Sequence, residues 1–387
     1  MAQAVELKTS NVVPVERDAQ GMWHLRGWAE AKAIMLMNVT QAGFGAEQMR
    51  KLRRYFPLSI AAIDGAEHRE RRRQTAKLFT PTITHQKHVQ VMHAKTETIV
   101  SDFAQRRQAD LNELATRISS EIVFEIVGLT NSRRPGLVKR FEPLTHLDMG
   151  DVSLMPNKLL PFLKMQLNVL DFLYTDIRPA VAARVEHPAM DLISHMIEKK
   201  AGDMAILIEA ITYGFAGMLT TREYICAAFQ ECMHNPEYKT ILMSDDEDLR
   251  QRFLYEVIRL RPVTEYLIRR AAEDLTIQSD GQTIHIPAGE LMRFDIKAIN
   301  RDKRALGEDA DELRLDRSFE NQMMWSMYAF GYGAHHCPGE TIAILETDIF
   351  LRRLFALGDV RIDKEPTRTF NPTTQTVELR DFRISLH

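Results

Sequence analysis

Ten residues, Phe330-Gly331-Tyr332-Gly333-Ala334-His335-His336-Cys337-Pro338-Gly339, constrain this chain more than any other stretch. They set a cysteine between a glycine-rich turn and an apolar helical run from Thr341 to Leu357. Backbone N–H groups at a helix start, and the positive end of its dipole, lower a thiol's pKa and stabilise negative sulfur. Gly331, Gly333 and Gly339 let the backbone curl around that sulfur and past a flat ligand, which a side chain would obstruct. A lone cysteine is ordinarily a small buried hydrophobe; this setting points instead to a thiolate that binds a soft metal. Zinc does not suit it, because His335, His336 and Cys337 lack further ligands at finger or ribbon spacing, and Cys226 and Cys232 lie far upstream.

The rest of the chain reads as an ordinary globular protein. Its 387 residues are 45% apolar and 27% charged, enough for a large core and unlike a disordered chain. Fifty basic and 53 acidic residues leave a net charge of -3, so no global field draws it to nucleic acid or an anionic membrane. Three cysteines do not make a disulfide framework and fit a reducing cytoplasm. The opening residues MAQAVELKTSNVVPVERD carry charges throughout, unlike a secretory signal or anchor. No stretch reaches the roughly 18 uninterrupted apolar residues of a membrane span. Without a Gly/Ser linker or a repeat, one continuous domain over 1–387 is the simplest organisation, although length alone suggests two or three.

The pattern is mostly helical with small sheets. A strand around Trp23 to Leu25 leads into a helix; Glu67 to about Leu260 is almost entirely helical. Ser244-Asp245-Asp246-Glu247 reads as a capping box opening a helix that Pro262 stops. Residues 275 to 287 alternate about Asp280-Gly281, the mark of a hairpin. Residues 300 to 337 lack periodicity, and Val377 to Ile384 looks strand-like.

The ten-residue cysteine segment resembles, at every constrained position, the haem-ligand signature of the cytochrome P450 superfamily. Further motifs occur in the family's order over nearly the whole chain: Glu256 and Arg259 as its structural Glu-x-x-Arg pair, and Asn300-Arg301-Asp302 as a family turn. The resemblance implies a mainly α fold with small β-sheets, a triangular single domain with haem b buried between a long central helix and the cysteine loop. It implies Cys337 as the iron ligand, with Phe330, Gly331, Gly333 and Gly339 shaping the loop. His68 and Arg72, one helical turn apart, and Arg269 and His335 match the family's contacts to haem propionates, a chemistry that suits carboxylates.

A long helix from about Asp203 to Asn235 contains Ala216-Gly217-Met218-Leu219-Thr220-Thr221, similar to the family's oxygen-binding motif. Gly214 and Gly217 each weaken a helix interior by roughly 1 kcal/mol, so a compensating close contact is expected. The resemblance sets Ala216 and Gly217 beside the haem and gives Thr220 the role of hydrogen-bonding oxygen and relaying protons. Where the family has an acid, this chain has Leu219, which carries no proton. Glu223, at i,i+3 from Thr220, or an ordered water chain is the substitute to test, against the alternative that Glu223 is only an ion-pair partner of Arg222.

By the same resemblance, variable loops supply the substrate pocket, with Phe44, Tyr55, Phe56, Leu147, Met149, Phe162, Tyr266 and Thr374, and Tyr213 from the long helix. These suit a small or medium hydrophobic molecule. The reaction expected is oxygen insertion from O2, with electrons from a ferredoxin or flavodoxin and its reductase, since no flavin or iron-sulfur motif is evident. The basic runs Arg50 to Arg54 and Arg69 to Arg73 are solvated faces or a steering surface for that donor. His85 and His88 read as surface residues. Leu219 also leaves open a peroxide-dependent enzyme, an isomerase or dehydratase, or a haem sensor or carrier without turnover.

Overall fold

The computed structural model describes residues 12–145, 156–319, 325–372 and 374–387. They form two compact units, one combining Met1–Gly43 with Arg252–Cys337, the other Phe44–Gln251 with Pro338–His387. The expected mainly helical pattern with small sheets holds over the described residues as a whole, with most of the helix in the second unit and a larger share of strand in the first.

The first unit is built on a five-stranded sheet ordered Val15–Arg17, Trp23–Leu25, Leu291–Asp295, Tyr266–Ala271 and Val39–Gln41. Trp23–Leu25 pairs with Leu291–Asp295 in parallel and the remaining neighbours are antiparallel. Side chains alternate across a strand, so Leu267, Arg269 and Ala271 share the buried face of Tyr266–Ala271. As expected, Trp23–Leu25 leads into the helix Trp28–Met35, and Leu275–Ser279 pairs with Gln282–Ile286. Asp280 and Gly281 join them at φ 47° and 74°, the left-handed pair that matches strand twist in a two-residue hairpin.

The expected capping box at Ser244 is corrected by two residues. The helix is Glu247–Leu260, and the side chain of Asp246, not Ser244, accepts from the N–H of Leu249 at 3.0 Å. Asp246 lies directly before the first helical residue, where a short carboxylate reaches a donor that has no partner within the helix.

At the other end of this helix Glu256 and Arg259 are both fully buried. Their side chains meet in two bonds of 2.6 and 2.9 Å. Arg259 also donates to the carbonyls of Asn300 and Ala310, each at 2.7 Å, and of Glu312 at 2.9 Å. Glu256 accepts from the N–H of Arg314 at 2.9 Å. The pair thus ties one helix to the long irregular stretch beyond residue 300, most of which lacks regular structure as expected.

In the second unit the helix Asp203–His234 packs along Leu111–Val127. A Cβ on Gly217 would lie 2.7 Å from Val123, and one on Gly214 would lie 2.7 Å from the Phe141 ring. The Ser119 hydroxyl bonds the Met218 carbonyl at 3.0 Å in the same contact. By length and composition alone this helix could cross a bilayer, but Glu209, Arg222 and Glu223 are buried on it.

Two small sheets complete the unit. Arg383–Leu386 pairs with both Gln108–Asp110 and Val360–Lys364, and Thr367–Asn371 forms a hairpin with Thr376–Arg380. The single strand expected over 377–384 is therefore two, separated at Asp381, whose φ is 58°. His88 is not a surface residue: it is 3% exposed and its Nε2 lies 2.9 Å from the Leu78 carbonyl. Burial lowers its pKa, which favours the neutral ring. His85 is exposed as expected.

Removing Arg259 would leave a buried carboxylate and three carbonyls short of donors. Arg259→Ala should therefore lose about 3–5 kcal/mol, and Arg259→Lys should recover little, since one ammonium cannot reproduce the planar fork. Urea unfolding of the three proteins measures both.

Candidate functional site

Every residue from Phe330 to Gly339 is half-buried except the exposed Ala334, while Met327 and Tyr328 just before them are buried. The loop is closed by three backbone bonds: Gly331 N–H to the Tyr328 carbonyl at 2.9 Å, His336 N–H to Gly333 at 3.1 Å, and Cys337 N–H to Phe330 at 2.8 Å. Gly331 and Gly333 take φ 74° and 72°, the left-handed region where a side chain is strained. At Gly333 a Cβ would also lie 2.9 Å from the Met35 carbonyl oxygen. Gly339 differs from expectation, for its φ of -88° is open to any residue; it is the N-cap of the helix Glu340–Phe355.

The loop is anchored from behind. Asn300 accepts from the N–H of Tyr328 at 2.9 Å and donates to the Arg259 carbonyl at 3.1 Å. The Tyr328 ring stacks on Tyr332 with centroids 5.3 Å apart. The chain Glu256, Arg259, Asn300, Tyr328 thus leads from a fully buried ion pair to the start of the cysteine loop. In the same unit Arg269 is buried and bonds the side chain of Gln41, its cross-strand neighbour. Tyr266 lies under the Arg293 guanidinium at 4.0 Å.

In the second unit His68 and Arg72 share the helix Gly65–Thr75, His68 buried and Arg72 half-buried. On the long helix Ala216 is exposed and Thr220 half-buried, although Tyr213, Gly214, Met218, Leu219 and Thr221 around them are buried. The Thr220 hydroxyl donates to the Ala216 carbonyl at 2.6 Å. The close contact expected at Gly217 is made by protein: Val123 fills the space its missing side chain leaves. Leu219 belongs to an apolar cluster with Val123, Ile206, Tyr213 and Met218, so the position that stands in place of the motif's expected acid is here part of the core.

Glu223 is 3% exposed and both its oxygens are engaged. One accepts from Arg222 at 2.8 Å and Arg380 at 2.6 Å, the other from the N–H of Leu379 at 2.7 Å. It fastens the Thr376–Arg380 strand to the long helix; the pairing with Arg222 exists, but inside the protein. The expected basic faces are likewise largely neutralised, since Arg50 pairs with Asp64, Arg53 and Arg71 with Glu67, and Arg73 with Glu70.

Among the expected substrate contacts, Tyr213 packs inward: its hydroxyl bonds Thr75 at 3.2 Å and its ring stacks on Phe79 at 5.5 Å. Thr374 is buried, with its hydroxyl 2.5 Å from that of Thr376. Phe44 is half-buried with φ 54°, and Tyr55 and Phe56 are exposed. Leu147 and Met149 lie outside the described residues, as does the side chain of Phe162.

One buried carboxyl was not anticipated. Glu209 lies on the face of the long helix that carries Tyr213, Ala216 and Thr220, and it is 6% exposed. Its Oε1 accepts from the N–H of Ile60 at 2.8 Å and faces Arg71 at 3.4 Å, while Oε2 has no partner. Burial pushes its pKa up to about 7, opposed by Arg71 and the Ile60 N–H. A glutamate inside an apolar helix pattern was the available signal.

A haem fits this donor set. Among the described residues no group of three or more His, Cys, Asp or Glu side chains could hold a metal ion, so a metal bound here must bring its own equatorial ligands and need one protein ligand. Cys226 and Cys232 are buried, and burial pushes their thiols up, away from the thiolate; Cys337 alone is half-buried. His68 and Arg72 in one unit, and Arg269 and His335 in the other, are side chains of the chemical kind that binds carboxylates.

The family model described as Cytochrome P450 matches residues 44–378. Cytochrome P450 CYP105Q4 of Mycobacterium marinum is 26% identical over 336 residues, 85% of this chain and 74% of that protein. Erythromycin C-12 hydroxylase of Saccharopolyspora erythraea is 24% identical over 377 residues, 92% and 87% of the two chains. Among solved structures, CalO2 superposes with TM-score 0.77 at 18% identity over 97% of this chain and 93% of that one. P450BioI in complex with an acyl carrier protein gives 0.76 at 19% over 97% and 94%.

Two outcomes are expected. Glu223→Gln should cost about 1–3 kcal/mol of stability by weakening a buried charged network while leaving the coupling of electron donor to product unchanged; a fall in coupling would return Glu223 to the proton path. For Glu209, a pKa raised in the folded state means the native protein holds a proton the unfolded chain releases. Stability should then fall as pH rises from about 4.5 to about 7 and level off above, and Glu209→Gln should flatten that slope in urea melts.

Proposed function

The chain belongs to the cytochrome P450 family, a family of haem-iron monooxygenases that use O2 and a redox partner; on that premise we propose that it oxidises a small or medium hydrophobic molecule with Cys337 as the thiolate ligand of haem b. The observation that carries this reading is the half-buried Cys337 in a loop closed by two left-handed glycines at the start of a helix. The family match runs across both compact units, which supports reading 1–387 as one domain.

When bound, a thiolate-ligated haem iron activates dioxygen, the sulfur's electron density favouring O–O cleavage. The chain's residues do the rest. His68 and Arg72 on one helix, and Arg269 and His335 in the other unit, would hold the propionates by charge-assisted bonds. Thr220 would present its hydroxyl oxygen to the reacting oxygen, its own proton being donated to the Ala216 carbonyl. Electrons would come from a ferredoxin or flavodoxin with its reductase. We place the protein in the cytoplasm.

The core position of Leu219 favours a second reading in the same haem class, a peroxide-dependent or non-oxygenating enzyme, because no acid stands before Thr220. Turnover with peroxide and never with a reductase would select it.

The reduced, carbon monoxide-bound spectrum of the wild type beside Cys337→Ser tests the main reading. A thiolate-type band in the wild type that is lost in the variant is the expected result. A spectrum unchanged by the substitution, or a chain that takes up no haem, would sink it.

A further inference from the structure

Side-chain hydroxyls take hold of one turn of the long helix from opposite sides. Thr220 donates to the Ala216 carbonyl at 2.6 Å from within the helix. Ser119, on the helix Leu111–Val127, donates to the Met218 carbonyl at 3.0 Å from outside it. At roughly 3.6 residues per turn Met218 lies about 200° round the helix from Ala216, and Thr220 lies as far again. The surroundings differ accordingly: Ala216 is exposed and Thr220 half-buried, whereas Ser119 and Met218 are each 1% exposed.

Nothing in its own helix requires Ser119 to make this bond. A serine inside a helix commonly turns its hydroxyl to the carbonyl four residues back, and the Ala115 carbonyl is there at 2.8 Å. A hydroxyl has one proton, so Met218 shares it with Ala115. The sharing depends on how near the two helices come. Ser119 and Val123 stand at i and i+4, one face of their helix, and Val123 fills the space beside Gly217, the residue before Met218. The glycine thus brings the Met218 carbonyl within reach of the hydroxyl.

A helix carbonyl that tilts outward to a further donor lengthens its own bond in the ladder, and lengthening on one side only curves the helix. Thr220 bonded four residues back exerts that effect on the open side. Ser119 exerts it on the packed side of the same turn and limits the curvature. We infer that Ser119 is a positioning residue: by holding the Met218 carbonyl it sets the turn from Ala216 to Thr220, and with it the direction in which Thr220 presents its hydroxyl oxygen. This rests on the proposed reading that Thr220 stands beside the haem's gas ligand. Ser119 acts only through the long helix, since it is enclosed where that helix packs on its own.

The test is the infrared stretching band of carbon monoxide on the reduced holoprotein, which responds to polar groups beside the gas, in a double-mutant cycle of Ser119→Ala and Thr220→Val. Thr220→Val should shift the band by removing a hydroxyl next to the gas. Ser119→Ala should shift or split it in the wild-type background, as the Thr220 hydroxyl loses its single direction, and should change nothing further in the Thr220→Val background. The thermal midpoint of Ser119→Ala should stay within about 2 °C of the wild type, because the higher helix propensity of alanine offsets a lost bond whose acceptor keeps its place in the helix ladder. An unchanged band in Ser119→Ala while Thr220→Val shifts it, or an equal effect in both backgrounds, overturns the proposal. So does a midpoint lowered beyond that margin or a Ser119→Ala protein that forms no carbon monoxide complex, either of which makes the serine structural. A band that Thr220→Val itself leaves in place is a separate failure, that of the reading beneath the proposal, and takes the proposal with it.

Discussion

The fully buried pair of Glu256 and Arg259 is the interaction on which the cysteine loop depends. Two charges in a protein interior repay their desolvation only if the remaining donors and lone pairs are satisfied. Here they are: Arg259 reaches three carbonyls of the irregular chain, and Glu256 takes the N–H of Arg314. The pair therefore organises a stretch with little secondary structure to do so. Asn300 extends that order to Tyr328, two residues before Phe330. A loop that must hold one sulfur in one direction is thus set by the network behind it, not by its own short turns alone.

The long helix solves a different problem. Its two glycines bring it against Val123 and Phe141, so the weakening they cause in the helix is offset by a close approach between helices. The same tight packing draws Leu219 into the core and leaves Ala216 exposed and Thr220 half-buried. One helix thereby presents an apolar packing face and a narrower side with Ala216 and Thr220, and Glu223 uses the continuation of that side to fasten a strand.

The cysteine loop, the strand before Trp28, the hairpin at Asp280-Gly281 and the extent of the long helix were legible because each depends on local rules: left-handed glycines, period-two alternation, a turn pair, an apolar run. What required the structure was non-local. Ser244 and Asp246 are both good caps, and only the helix phase selects Asp246. His88 looks like a surface residue until the Leu78 carbonyl is brought to it. Tyr213 was legible as an aromatic on the right helix, but its direction is set by Thr75 and Phe79 from distant sequence. The basic runs concealed their acidic partners because Asp64, Glu67 and Glu70 become neighbours only once the helix Gly65–Thr75 forms.

The buried carboxyls on the long helix show how proton capacity is distributed about Thr220. Glu223 is nearest, but each of its oxygens already accepts from a guanidinium or an N–H and so ties a strand to the helix. Glu209 has the opposite character: one oxygen is unpartnered, and burial pushes its pKa up to about 7, where it both takes and gives a proton near neutrality. It stands eleven residues from Thr220, about 16 Å at 1.5 Å per residue, too far for direct transfer. Around Thr220, the near carboxyl is thus engaged in fastening a strand and the far one stands apart, an arrangement that follows from packing as much as from the identity of residue 219.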